Sequence, residues 1–331
     1  MKAIPQKYFL KEKKVISQPK TQKKAIIFLV GPTAIGKSQI AIYLARKINA
    51  EIISCDSMQI YKKMDIISAK PDSVFRKKVK HNLISIIDPS RAFSACDYRR
   101  LALAAVKDII RRGRVPLFVG GCGFYMSAVI DGIFSEKTKD KSIRERLYLK
   151  AQRLGNGTLY ASLKAVDPAA ASKIHPNDLR RIVRALEVYQ KCGIPISELQ
   201  KRRKGIADKY NIEIFGLNMK RDALYRRIDE RVDAMFKSGL LNEIKALLKS
   251  RLSRTAAVAI GLRQIQAYLG GQYDLAEAIR LMKRNSRLYA KKQLTWFKKD
   301  KRIKWLVIKD SDSARHIAQR ICKGLEWKKH C

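Results

Sequence analysis

The first third of the chain carries short unbroken apolar runs, and each predicts a buried strand. Ala25-Ile26-Ile27-Phe28-Leu29-Val30 is the first. Glu51-Ile52-Ile53-Ser54-Cys55, Leu83-Ile84-Ser85-Ile86-Ile87 and Val115-Pro116-Leu117-Phe118-Val119 repeat the signal. Between them the apolar period lengthens to that of a helix. Ile40 to Ala45 follows the first strand, and Ser94-Ala95-Cys96-Asp97 is a capping box opening a helix to Arg112. Strands separated by helices predict a parallel, doubly wound α/β sheet whose ligands lie at the carboxyl ends of the strands.

From residue 135 to 205 the pattern becomes helical, basic and more polar, with turns at Gly155-Asn156-Gly157 and Cys192-Gly193-Ile194-Pro195. Ile212 to Leu217 then resembles a strand returning to the sheet. The remainder is mostly helical. Its longest element runs from Asp274 to Lys299, and a short strand, Ile303 to Ile308, follows. The expected organisation is a core of 25–134 and 206–325, flanked by helices and interrupted by an all-helical insertion, 135–205. Residues 1–24, with eight lysines and one glutamate, are expected to be a disordered basic extension. They lack the apolar stretch of a secretory signal and the arginines of a transit peptide.

Charge changes the picture more than composition does. Lysine and arginine number 71 against 29 acidic residues, a formal net charge of +42. That excess favours polyanionic partners. No run of 18 apolar residues suggests a transmembrane helix. Six scattered cysteines without a C-x-x-C pair read as free thiols.

Chemistry enters at Gly31-Pro32-Thr33-Ala34-Ile35-Gly36-Lys37-Ser38, which fits the phosphate-binding P-loop and sits between a strand and a helix as that motif requires. Its amides converge on phosphate oxygens, Lys37 supplies a cation and Ser38 a hydroxyl for Mg²⁺. A hydrolase would also need a strand ending in aspartate to hold the metal. Here Val115–Val119 ends in Gly120-Gly121. The one carboxylate at a strand end is Asp56, which reads equally as a general base or metal ligand and as a solvated turn residue.

Two stretches resemble nucleic-acid surface. Over Asn177–Tyr189, with Asn177 as N-cap, Leu179, Ile182, Val183 and Leu186 share one helical face, and Arg180, Arg181 and Arg184 the opposite one. In the long C-terminal helix, Lys283, Arg284, Arg287, Lys291, Lys292, Lys298 and Lys299 are interleaved with Tyr289, Trp296 and Phe297. Such charges neutralise phosphates and such rings stack on bases, although a solvated charged face gives the same pattern.

Together these segments resemble the tRNA dimethylallyltransferase family, bacterial type. The likeness is carried by the P-loop and by Asp56-Ser57-Met58-Gln59-Ile60-Tyr61-Lys62-Lys63-Met64-Asp65. Gly120-Gly121-Cys122-Gly123-Phe124-Tyr125, His175-Pro176-Asn177-Asp178 with Arg181 to Glu187, and Gln293-Leu294-Thr295-Trp296-Phe297 follow in family order. The resemblance implies transfer of a dimethylallyl group from dimethylallyl diphosphate to N6 of adenosine 37 in tRNA, releasing diphosphate. It implies a P-loop NTPase-like core, Mg²⁺ as cofactor, the tRNA anticodon stem-loop as partner of the insertion, no membrane partner, and a cytoplasmic monomer. The loop would hold a diphosphate leaving group, so an ATP-binding label for 31–38 follows from the motif alone.

By the same resemblance Asp56 is the general base, Arg231 contacts diphosphate and Cys122 belongs to the catalytic site. Asp56 to Gln59, Cys122, Arg144, Arg180, Arg181, Ile182, Val183, Arg184, Val258, Gly261, Arg263, Lys291, Lys292, Gln293, Thr295, Trp296 and Lys298 match tRNA-contact segments. Three positions depart from the family pattern: Cys122 replaces threonine, Leu262 replaces tyrosine, and Val258 stands where relatives carry a polar or basic residue. Competing readings are a free-adenylate isopentenyltransferase, a small-metabolite kinase and a non-catalytic RNA-binding protein. The basic helices argue against the first, the missing strand-end aspartate against the second, and intact Lys37, Ser38 and Asp56 against the third.

Overall fold

The computed structural model describes residues 23–134 and 138–326. The expectation for residues 1–24 therefore lies almost wholly outside the described residues. Along the chain come β1 (Ala25–Val30), α1 (Lys37–Lys47), β2 (Ala50–Cys55), α2 (Ser73–Lys78), β3 (His81–Asn82), α3 (Ala95–Arg111), β4 (Val115–Gly120) and α4 (Gly123–Ile130). Then follow α5 (Lys141–Val166), α6 (Pro168–Ala171), α7 (Leu179–Cys192) and α8 (Ile196–Lys201). The chain closes with β5 (Asn211–Asn218), α9 (Arg221–Lys237), α10 (Leu240–Leu248), α11 (Leu262–Leu269), α12 (Leu275–Phe297), β6 (Ile303–Val307) and α13 (Ala314–Lys323).

The six strands form one parallel sheet in the order β3-β2-β4-β1-β5-β6. β1 is central, and its side chains alternate between two cores. Ile26, Phe28 and Val30 pack on one face of the sheet, and Ile27 and Leu29 on the other beside α1 and α13. That double burial explains the unbroken apolar run, because no face of a central parallel strand meets water. Phe28 stacks on Phe118 of β4 at 4.4 Å between ring centroids. Ser94 and Asp97 form the capping box that opens α3.

Three local expectations are corrected. The strand placed at Leu83–Ile87 is only His81–Asn82. Leu83 and Ser85 have φ of 63° and 54°, which breaks the strand alternation, and the amides of Ser85, Ile86 and Ile87 bond the Gln59–Ile60 turn instead. The turn at Gly155-Asn156-Gly157 is a kink inside α5, at Gly155 (φ 79°, ψ 162°). The N-cap of α7 is Asp178, whose carboxylate accepts from the Arg181 amide, while the Asn177 amide bonds His175 within the preceding turn.

Residues of α5, α6 and α7 bury a separate apolar cluster built on Leu147, Leu159, Leu163, Ile182 and Leu186. Buried Glu187 ties it to the start of the insertion. Its carboxylate accepts from Arg144, Arg184 and the Asp140 amide, and Arg184 also donates to the Thr138 carbonyl and hydroxyl. Burial alone would raise the Glu187 pKa, but those donors hold it below the ordinary value.

Candidate active site

The site lies at the carboxyl ends of β1, β2 and β4. β1 delivers the chain into a loop that only glycine can begin: a Cβ on Gly31, whose φ is 152°, would stand 2.9 Å from the Leu217 carbonyl oxygen. α1 then starts at Lys37 behind Gly36, which offers no side-chain cap, so the first amides of the helix remain available to an anion. Lys37 folds back on its own loop, donating to the carbonyls of Gly31 (2.9 Å) and Pro32 (2.6 Å). Burial, and next the Arg231 cation, bring its ammonium down to about 7. An anion in the loop would reverse that penalty.

Arg231 comes from α9, where Ile228, Val232 and Met235 share its helical face. Its guanidinium donates to the Thr33 hydroxyl at 2.7 Å, so the cation is placed on the P-loop. Burial lowers its pKa and Asp56 opposes that shift. Asp56 follows β2. Its Oδ1 accepts from the amides of Met58 (2.8 Å) and Gln59 (3.3 Å). Among the described residues no donor bonds Oδ2. The carboxylate is thus fixed by one oxygen and free to accept with the other.

Two chambers meet here. One, of about 550 Å³, is the more polar, its wall half polar and half apolar, and its polar side is lined by Gly36, Lys37, Ser38, Lys70, His81 and Arg227. The other, of about 220 Å³, is largely apolar and is lined by Met58, Ile67, Ile228, Val232, Met235 and Met282. Thr33, Ala34, Asp56, Ser68, Arg231 and Tyr289 line both. An anionic head and an apolar tail therefore fit side by side, with a carboxylate at their junction.

Cys122 caps the start of α4, and its amide bonds the Cys55 carbonyl at 3.1 Å. Burial pushes its thiol up to about 11, so it is a neutral thiol at pH 7. Ser57 and Met58 line the apolar chamber, and exposed Val258 stands at its edge. The amide of Gln59 is engaged with Ser54 and Ala69. Arg180, Arg181, Arg263, Lys291, Lys292, Thr295, Trp296 and Lys298 are exposed.

Several residues matched to RNA contact are placed otherwise. Ile182 and Val183 are buried in the core of the insertion, and Arg144 and Arg184 are held by Glu187. Gly261 is buried against Met282, and Leu262 is a core residue. Gln293 is buried too. It accepts from the Thr33 amide (2.9 Å) and donates to the Gly121 carbonyl (3.0 Å), joining the P-loop to the turn after β4. On the basic helix α12, Lys283 and Arg287 pair with Asp233 and Asp229 of α9.

Sequence reasoning missed the apolar chamber and Tyr289's place in it. The signal was present in α12: Met282, Ser286, Tyr289 and Gln293 recur at three- and four-residue spacing and so share one face. It also missed Glu243 of α10, whose carboxylate accepts from the amides of Asp65, Ile66 and Ile67 and holds the loop beside the chamber.

The fold and the paired chambers define a P-loop group transferase, in which no strand-end aspartate follows β4 and the carboxylate faces an apolar cavity instead. Comparisons with known proteins narrow this. The IPP transferase family model matches residues 59–300 and an isopentenyl transferase model residues 24–88. The tRNA dimethylallyltransferase of Halothermothrix orenii is 44% identical over 87% of this chain and 88% of its own length. That of Bacillus subtilis is 42% identical over 90% of this chain and 98% of its own. The structure of the full-length tRNA isopentenylpyrophosphate transferase from Bacillus halodurans matches with a TM-score of 0.67 at 38% identity, covering 93% of this chain and 99% of that one. A eukaryotic dimethylallyltransferase solved acting on tRNA matches with a TM-score of 0.77 at 31% identity, covering 90% of this chain and 77% of that one. The chain belongs to the tRNA dimethylallyltransferase (IPP transferase) family.

Proposed function

We propose that this protein transfers the dimethylallyl group of dimethylallyl diphosphate to N6 of adenosine 37 in tRNA. The observation that carries this reading is Asp56, which lines both the polar and the apolar chamber and whose Oδ2 is bonded by no donor among the described residues. The diphosphate lies in the P-loop against Lys37, Arg231 and the amides of α1. The five-carbon tail lies among Met58, Val232, Met235 and Met282. N6 of adenine attacks the allylic carbon. The carbon–oxygen bond breaks with its electron pair leaving on diphosphate, where the two cations stabilise the growing charge. Asp56 takes the N6 proton, which matters because an exocyclic amine is a weak nucleophile.

The acceptor base reaches Asp56 by leaving the anticodon-loop stack. Exposed Arg180 and Arg181 on α7, and Lys291, Lys292 and Lys298 on α12, supply phosphate contacts on either side. Trp296, 42% exposed, offers a stacking surface. Among the described residues no three His, Cys, Asp or Glu side chains cluster as metal ligands. A Mg²⁺ would therefore ride on the diphosphate with the Ser38 hydroxyl as its protein ligand, a donor set that suits a cation fond of phosphate oxygens and water. When bound it would neutralise charge on the leaving group. No helix of the described residues is long and apolar enough to cross a membrane, and the proposed setting is the cytoplasm, with the protein acting as a monomer.

Nucleoside mass spectrometry tests the reading. Unmodified tRNA is incubated with the protein, Mg²⁺ and dimethylallyl diphosphate, with AMP as a parallel acceptor. Prenyl-adenosine in tRNA alone is the expected result. Product on AMP alone would place the chain among free-adenylate enzymes, and ATP turnover without prenyl product would overturn the assignment.

A further inference from the structure

Helix α12 presents a graded face to the site. Met282 and Ser286 line only the apolar chamber, Gln293 lines only the polar one, and Tyr289 lines both. Among the described residues Tyr289 is the one aromatic side chain on the wall of the apolar chamber. It shares the junction with Asp56 and Arg231. Burial, and next the Asp56 charge, hold its phenol proton well above the ordinary range. A neutral aromatic side chain thus lines the place where an anionic head meets an apolar tail.

That junction is also where charge changes during the transfer proposed above, on which this inference rests. As the bond from the allylic carbon to oxygen stretches, its electron pair moves onto diphosphate, the allyl fragment gains positive charge, and the incoming N6 lone pair then forms the new bond. Met58, Ile67, Val232 and Met235 enclose the fragment but offer it little electrostatic help. An aromatic face attracts a cation, and more strongly when water is excluded.

We propose that Tyr289 is a further catalytic residue, its ring stabilising the positive charge that develops on the allylic group at the junction of the two chambers. The effect belongs to the transition state, because the bound diphosphate ester carries no positive charge on that carbon. Loss of the ring lowers kcat and leaves KM for dimethylallyl diphosphate nearly unchanged.

The test uses the full chain with Tyr289→Phe and with ring-fluorinated phenylalanines at that position. Fluorines withdraw electron density from the face and barely alter shape, so folding is not at issue. Tyr289→Phe is expected to keep turnover within about fivefold, because the ring and not the hydroxyl carries the effect. Each added fluorine should then lower kcat stepwise, reaching about ten- to thirtyfold across the series, with KM constant. A flat kcat across the fluorinated series overturns the proposal. So does a series in which only KM changes, or one in which Tyr289→Phe alone abolishes turnover, since the hydroxyl would then be the active group. Failure of the unaltered protein to prenylate tRNA would instead reject the underlying activity, so the two failures are distinguishable.

Discussion

Replacing Gln293 by methionine separates a lock on the phosphate loop from an RNA contact. The side chain is 6% exposed, and it bonds the Thr33 amide at 2.9 Å and the Gly121 carbonyl at 3.0 Å. Methionine has similar length and volume, so no large cavity opens. Both backbone groups lose their partner, and each buried polar group left unpaired costs about 1–3 kcal/mol. The pair therefore costs roughly 2–6 kcal/mol, with the lower half expected because water in the polar chamber can reach Thr33. Urea unfolding measures the stability. The KM for dimethylallyl diphosphate should rise about tenfold as the loop loosens, the equivalent of ~1.4 kcal/mol. Filter retention of tRNA should stay within about twofold, because a side chain this deep contributes no phosphate contact. A tenfold loss of tRNA affinity with stability and KM intact would refute the reasoning and return Gln293 to the RNA surface.

Asp56→Asn keeps the Oδ1 acceptor for the Met58 and Gln59 amides but loses the base; turnover should fall by about 10²–10⁴ with tRNA retention unchanged, and unaltered turnover would remove Asp56 as the base. Cys122→Thr places a better N-cap at the start of α4, where the Cys122 side chain makes no capping bond. A gain of about 0.5–1 kcal/mol in thermal unfolding with turnover preserved or raised is expected, and a large loss of turnover would contradict it. Lys37 has its ammonium near 7 when folded and at 10.5 when unfolded, so between those values the unfolded chain binds more protons and stability rises with pH. Lys37→Met should lack that rise, shrinking its stability advantage over the unaltered chain by up to about 1.4 kcal/mol per unit from pH 7 to 9, and parallel pH curves would dismiss it. Glu187→Ala strips a fully buried carboxylate from Arg144, Arg184 and the Asp140 amide. It should cost about 3–5 kcal/mol, open the insertion to proteolysis and weaken tRNA binding, while binding of dimethylallyl diphosphate survives.

What the sequence by itself determined were features that depend on neighbours along the chain. β1, β2, β4, β5 and β6 were visible as apolar runs, and the α3 capping box and the P-loop as local spacing, because each is satisfied within a few residues. Tertiary structure decided what depends on distant partners. The Leu83–Ile87 segment has the composition of a strand, yet the Gln59–Ile60 turn takes its amides. Arg144 and Arg184 have the look of phosphate ligands, yet buried Glu187 of α7 binds them both. Gln293 lies 260 residues from Thr33, and only packing of α12 across the sheet ends makes it part of the P-loop. The apolar chamber is assembled from the loop after β2, from α9 and from α12. Periodicity marks the buried face of each helix, but burial against core and burial against substrate leave the same pattern in sequence. Only the relative placement of the helices leaves the space that distinguishes them.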